Sequence, residues 1–143
     1  MPEALFPFLR RDEAPRKVLV VDDGTLVRLY YRKALEAAGF AVEEAINGIE
    51  AMEKILSDRF DLVVVDINMP KMDGLAFLRA LRAEPAAAAV PAIVTSTEAA
   101  EHDRSAARAA GANYYLTKPV PEGSLALHAA ILTGAPPAGG APA

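Results

Sequence analysis

The chain has 143 residues, no cysteine and only two histidines, His102 and His128, so disulfides and thiolate metal sites are excluded and a histidine-built zinc site lacks ligands. A formal net charge of −4 and a pI near 5.2 argue against a general nucleic-acid or acidic-membrane surface. Hydrophobic residues make up 52% of the chain, but alanine supplies much of that, so one core must rest on the Val, Ile, Leu and Phe clusters.

The opening MPEALFPFLRRDEAPR is too short in its apolar part, and too broken by proline, for a secretory signal. Its apolar knot, Leu5 to Leu9, reads as a docked extension or as a contact segment for a partner or second copy. No later apolar run approaches the about 20 residues of a membrane span, and a cytoplasmic domain is the expectation.

From Lys17 the chain alternates regularly. Lys17 to Val21 is a short apolar strand closed by Asp22 and Asp23, as a strand covered on both faces should be. Val27, Tyr30, Tyr31, Ala34, Leu35 and Ala38 then mark one face of a helix, with Gly39 as its C-terminal stop. A more polar strand is predicted over Ala41 to Ile46, then a helix from Gly48 to Asp58 with Met52, Ile55 and Leu56 inward. Leu62 to Asp66 is the third strand, and Leu75, Phe77, Leu78 and Leu81 phase a helix that stops before Pro85. A fourth strand covers Ala92 to Thr95, followed by an alanine-rich helix from Glu98 to Ala110. The fifth strand runs from Asn113 to Thr117 and the last helix from Glu122 to Leu132. Beyond it, GAPPAGGAPA is too poor in apolar side chains to fold alone, so no second output domain is expected.

Five β–α alternations imply a parallel sheet with helices on both faces, an α/β fold in which every loop after a strand opens on one edge. Ligands of such sheets bind outside the C-terminal strand ends. Those ends deliver Asp22 and Asp23, Asp66, Ser96 and Lys118. Carboxylates gathered on one edge repel and raise one another's pKa values unless a cation intervenes. Mg²⁺ takes oxygen ligands and works beside phosphates. A strand-tip aspartate beside it is a candidate phosphoryl acceptor, with Lys118 and Ser96 placed for the other phosphoryl oxygens. Singly, each residue has a plainer explanation: an aspartate capping a helix, a solvated lysine in a turn, a serine cap, or Asn68 as a turn former.

VLVVDD, VVVDINMPKMDG, PAIVTS and GANYYLTKP together resemble the receiver domain of two-component response regulators, nearest the single-domain, CheY-like chemotaxis type. The resemblance covers Arg16 to Thr133 and implies the flavodoxin-like strand order 2-1-3-4-5. It makes Asp66 the phosphoacceptor. It assigns Mg²⁺ to Asp23, Asp66 and the Asn68 carbonyl, with Asp22 helping through water. Lys118 would pair with Asp66 or its phosphate, and the bond to Pro119 would be cis. The switch hydroxyl falls five residues after Pro91, on Ser96, and the switch aromatic is Tyr115. Asn68 and Glu98 take the positions that tune acyl-phosphate hydrolysis, so chemotaxis-like lability is expected. Two departures stand out: Thr97 is bulkier than the usual alanine or glycine, narrowing access to Asp66, and Gly24 is smaller than usual.

The resemblance thus implies a signalling protein that takes phosphate from a sensor histidine kinase or phosphotransfer protein and contacts a downstream target. That contact would use the face of the fourth helix, fifth strand and fifth helix, without direct DNA or membrane binding. A pseudo-receiver, a relay intermediate or an Mg²⁺-dependent phosphohydrolase are the competing readings. The last lacks a second acid two residues after Asp66, where Asn68 stands.

Overall fold

The computed structural model describes residues 15–135, so the apolar knot at Leu5 to Leu9 and positions 136–143 lie outside the described residues. Five parallel strands, β1 (Lys17–Val21), β2 (Ala41–Ala45), β3 (Leu62–Asp66), β4 (Ala92–Ser96) and β5 (Tyr114–Thr117), form one sheet in the order β2-β1-β3-β4-β5. Between and after them run α1 (Thr25–Ala37), α2 (Gly48–Ser57), α3 (Gly74–Ala83), α4 (Glu101–Ala110) and α5 (Glu122–Thr133). This is the flavodoxin-like α/β architecture that the alternation implies. Among the described residues no helix is long and apolar enough to cross a membrane.

The valine-rich strands read as continuous apolar runs because both faces are covered. Val18, Val20, Leu62, Val64 and Ile93 pack with Tyr31, Ala34 and Leu35 of α1 and Leu125 and Ala129 of α5. On the other face Leu19, Val21, Val63, Val65, Ala92 and Val94 meet residues of α2, α3 and α4, chiefly Ile55, Phe77, Leu78 and Leu81. Complete burial of such a side chain contributes about 1.5–3 kcal/mol, so these two layers dominate the fold's stability. In register, Asp66 stands beside Thr95, and Ser96 beside Thr117, at the C-terminal edge.

Helix entries are chemically marked where the sequence turns polar. The Asn47 side chain accepts from Glu50 N–H at 2.8 Å, and the Glu50 carboxylate accepts from Ile46 N–H, a reciprocal cap that opens α2 and closes β2 at Ala45. Asp73 accepts from Ala76 N–H at 2.9 Å and opens α3. Gly39, at φ 97°, provides the left-handed turn after α1.

Three expectations need correction. Leu56 points outward, 62% exposed, because Ala51 and Ile55 already fill the space above the sheet. Tyr30 lies on the rim of its helix face, where its hydroxyl donates to the Val120 carbonyl at 2.7 Å. The fourth helix begins at Glu101, not Glu98, since the Ser96 hydroxyl accepts the Glu98 N–H and holds the chain in a turn first.

Candidate functional site

Each predicted acid arrives at the same edge for a local reason. β1 ends at Val21 and the next two residues are Asp22, 2% exposed, and the exposed Asp23. β3 ends on Asp66 itself, 5% exposed. One carboxylate oxygen from each of the three lies within 4.8 Å of the others. Lys118, one residue past β5, reaches back so that its Nζ stands 2.9 Å from Asp22 Oδ2 and 3.2 Å from Asp66 Oδ1. The Lys118–Pro119 peptide is cis.

Three carboxylates face one ammonium, so the cluster carries excess negative charge. Burial pushes the Asp66 carboxyl above its ordinary value; Lys118 pulls the other way, Asp22 adds to the push, and a backbone N–H from Asn68 helps the charged form. Burial opposes charge on Lys118 too, but its bond to Asp22 and the charges of Asp22 and Asp66 outweigh that and raise its pKa. A compact set of hard oxygen donors carrying excess negative charge fits a divalent cation such as Mg²⁺.

The helix-cap explanation of the acid pair does not describe what Asp22 does. Its Oδ1 accepts from Gly24 N–H at 2.8 Å, while the helix proper has Gly24 at its N-cap and no side-chain cap. Nor is Lys118 a solvated turn residue, since both of its partners are buried.

Ser96 is fully buried and its Oγ accepts from Glu98 N–H at 3.0 Å. The Glu98 carbonyl accepts from the Tyr115 hydroxyl at 2.6 Å. One residue therefore connects the expected switch hydroxyl with the expected switch aromatic. Arg104 of α4 lies 4.9 Å over the Tyr115 ring and donates to Thr117 Oγ1 at 3.2 Å. Thr97 is exposed and shares the wall of a groove of about 350 Å³ with Lys118, Tyr31 and Leu26. Asn68 and Glu98 are both exposed.

Several contributors escaped sequence reasoning. The direct bond from Lys118 to Asp22 joins residues far apart in the chain, and no local pattern announces it. Arg28 donates to the Asp22 carbonyl at 2.8 Å and pairs with Glu44, bracing the acid loop from α1. Tyr31 and Thr95, read from sequence as helix-face and strand residues, are both buried, Thr95 beside Asp66 in the strand register.

A doubly wound parallel sheet carrying acids and a lysine at its C-terminal edge defines a receiver-type signalling domain. The family model of the response regulator receiver domain matches residues 18–130, and the chain belongs to that family. It is 39% identical over 102 residues to the gliding motility regulatory protein of Myxococcus xanthus, covering 71% of this chain and 13% of that protein. It is 42% identical over 103 residues to the response regulator MprA of Mycobacterium ulcerans, covering 72% of this chain and 44% of that one. The match thus spans less than half the length of these two relatives. Among solved structures, the chemotaxis protein CheY4 of Vibrio cholerae is 34% identical with a TM-score of 0.80, over 83% of this chain and 99% of CheY4.

Proposed function

We propose that Asp66 accepts a phosphoryl group from phosphohistidine on a sensor histidine kinase or phosphotransfer protein, in an Mg²⁺-dependent reaction. The observation that carries this reading is a buried strand-tip carboxylate, raised in pKa by burial, bonded to Lys118 and ringed by two further acids. An Asp66 carboxylate oxygen attacks phosphorus, the phosphorus–nitrogen bond breaks, and the imidazole leaves, taking up a proton if it departs unprotonated. Asp22, Asp23, Asp66 and the Asn68 carbonyl would hold Mg²⁺, which supplies positive charge beside the phosphoryl oxygens.

Lys118 already bridges Asp22 and Asp66, so it follows the new charge by exchanging an Asp66 oxygen for a phosphoryl oxygen while Asp22 retains it. The Ser96 hydroxyl gives up Glu98 N–H and donates to the phosphate. Glu98 also holds the Tyr115 hydroxyl, so this exchange reaches β5. The α4–β5–α5 face is the proposed signalling surface: α4 buries only Ala107 and Ala110, and a lightly held helix shifts at low cost. Asn68 and Glu98, both exposed, would tune hydrolysis.

Residues 16–133 act in this reading as the receiver, with 1–15 as an extension and 134–143 as a tail. Output runs through the receiver's own contact with a target such as a motor switch, a kinase or a further phosphotransfer protein in the cytoplasm, without direct DNA or membrane binding. The likeness to CheY4 over nearly its whole length supports that output mode.

Beryllofluoride with Mg²⁺, or a cognate kinase, should modify the wild type at Asp66 and leave Asp66→Ala unchanged. Equal responses from both proteins would sink the reading. A phosphohydrolase would instead turn over simple phosphate esters repeatedly, and no such turnover is expected.

A further inference from the structure

α4 buries only Ala107 and Ala110, and alanines contribute little to holding a helix on a sheet. Its polar ties to β5 therefore carry more of its placement. Arg104 makes two such ties at once. Its guanidinium lies 4.9 Å over the Tyr115 ring, and it donates to Thr117 Oγ1 at 3.2 Å. Tyr115 packs against the core that includes Ala107 and Ala110, and Thr117, two residues on, takes the same face of the sheet. Glu101, His102 and Arg108 of the same helix are exposed, whereas Arg104 is half-buried.

Both residues held by Arg104 adjoin the expected switch hydroxyl. The Tyr115 hydroxyl donates to the Glu98 carbonyl at 2.6 Å, and Glu98 N–H donates to Ser96 Oγ at 3.0 Å. Thr117 pairs with Ser96 in the sheet, and Lys118 donates its N–H to the Ser96 carbonyl at 2.7 Å. Tyr115 is thus held at its hydroxyl by Glu98 and on its face by Arg104. A cation is attracted to a ring only while it stands over the π face, so any swing of Tyr115 away from α4 forfeits that contact.

We propose that Arg104 is a positioning residue that clamps α4 and Tyr115 in the unphosphorylated arrangement, and so opposes the change that phosphorylation of Asp66 drives. This deepens the preceding reading and rests on Asp66 being the acceptor. Arg104 acts through Tyr115 and Thr117 and not on the reacting atoms. A group that stabilises one of two arrangements weakens every ligand that requires the other.

Arg104→Met keeps an apolar stem and removes the cation, while Arg104→Lys keeps a cation without the planar fork. Two readouts separate the outcomes: amide hydrogen exchange along α4 in the unphosphorylated protein, and the affinity for beryllofluoride at saturating Mg²⁺. In Arg104→Met, exchange in α4 should quicken and half-saturation by beryllofluoride should fall about fivefold, the scale of a cation–π contact and a hydrogen bond. Arg104→Lys should lie between that variant and the wild type. A purely structural arginine would quicken exchange on removal without tightening beryllofluoride binding.

Unchanged or weaker beryllofluoride binding by Arg104→Met, beside a wild type that binds it, would overturn the proposal, as would α4 exchange at the wild-type rate. If the wild type itself binds no beryllofluoride and Arg104→Met still quickens exchange in α4, the acceptor reading falls and the clamp on α4 stands.

Discussion

Asp66 holds a charge that its surroundings only partly offset, and this has a thermodynamic signature. Burial raises its folded-state pKa above the unfolded value near 3.8. A group raised in this way contributes stability that is complete below the unfolded pKa and lost as pH rises through the folded pKa. Without divalent cations, Asp66→Asn should therefore be more stable than the wild type at pH 7, by about 1 kcal/mol. The gain should shrink as pH falls toward the ordinary carboxylate range, where the wild-type group becomes neutral as well. Thermal melts of both proteins across pH 4 to about 7 check the sign. A constant difference would mean that Asp66's charge is not its source.

At the scale of elements, the site depends on how closely α3 approaches the end of β3. A Cβ on Gly74 would lie 2.2 Å from the Asp66 carbonyl oxygen and 2.8 Å from Ile67 Cα. Both are backbone atoms, so the helix or the acceptor must move. Gly74→Ala should destabilise the fold by about 1–3 kcal/mol, as overpacking does, and slow modification of Asp66. Gly123, in the first turn of α5, makes the opposite case, since a Cβ there meets nothing within 4 Å. Gly123→Ala should stabilise the helix by up to about 1 kcal/mol and leave the site untouched. Denaturant unfolding of both variants beside the wild type distinguishes steric from conformational effects.

At the scale of the molecule, one divalent cation should couple the acidic edge to global stability. A ligand that binds only the native state raises unfolding free energy by about 2.7 kcal/mol at a hundred times its dissociation constant. Saturating Mg²⁺ should accordingly raise the melting temperature of the wild type. In Asp23→Ala that increase should be lost or sharply reduced, while both Lys118 ion pairs, which do not involve Asp23, persist. An undiminished Mg²⁺ response in Asp23→Ala would remove that residue from the proposed ligand set. Long-range ties of another kind come from Arg82, whose guanidinium donates to the carbonyls of Ala88, Val90 and Gly111 and so joins α3 to the loops flanking β4 and α4.

The order of elements, the ends of β1, β3 and β5 and the edge where the acids gather were legible in the chain, while β2 and β4 end one residue away from the expected Ile46 and Thr95. Runs such as Val63 to Asp66 have one low-energy use in an alternating β–α sequence, and a parallel sheet then orders its own ends. Helix phase was legible too, except at Leu56 and Tyr30, where outward or inward placement depends on what neighbouring helices already fill. Tertiary structure decided the pairing of Lys118 with Asp22, the start of the fourth helix at Glu101, and the burial of Thr95 beside Asp66. The Lys118 and Thr95 placements depend on the distance between elements remote in sequence, whereas the helix start turns on the local Ser96–Glu98 bond. Periodicity tells which face a side chain takes; packing alone tells what it finds there.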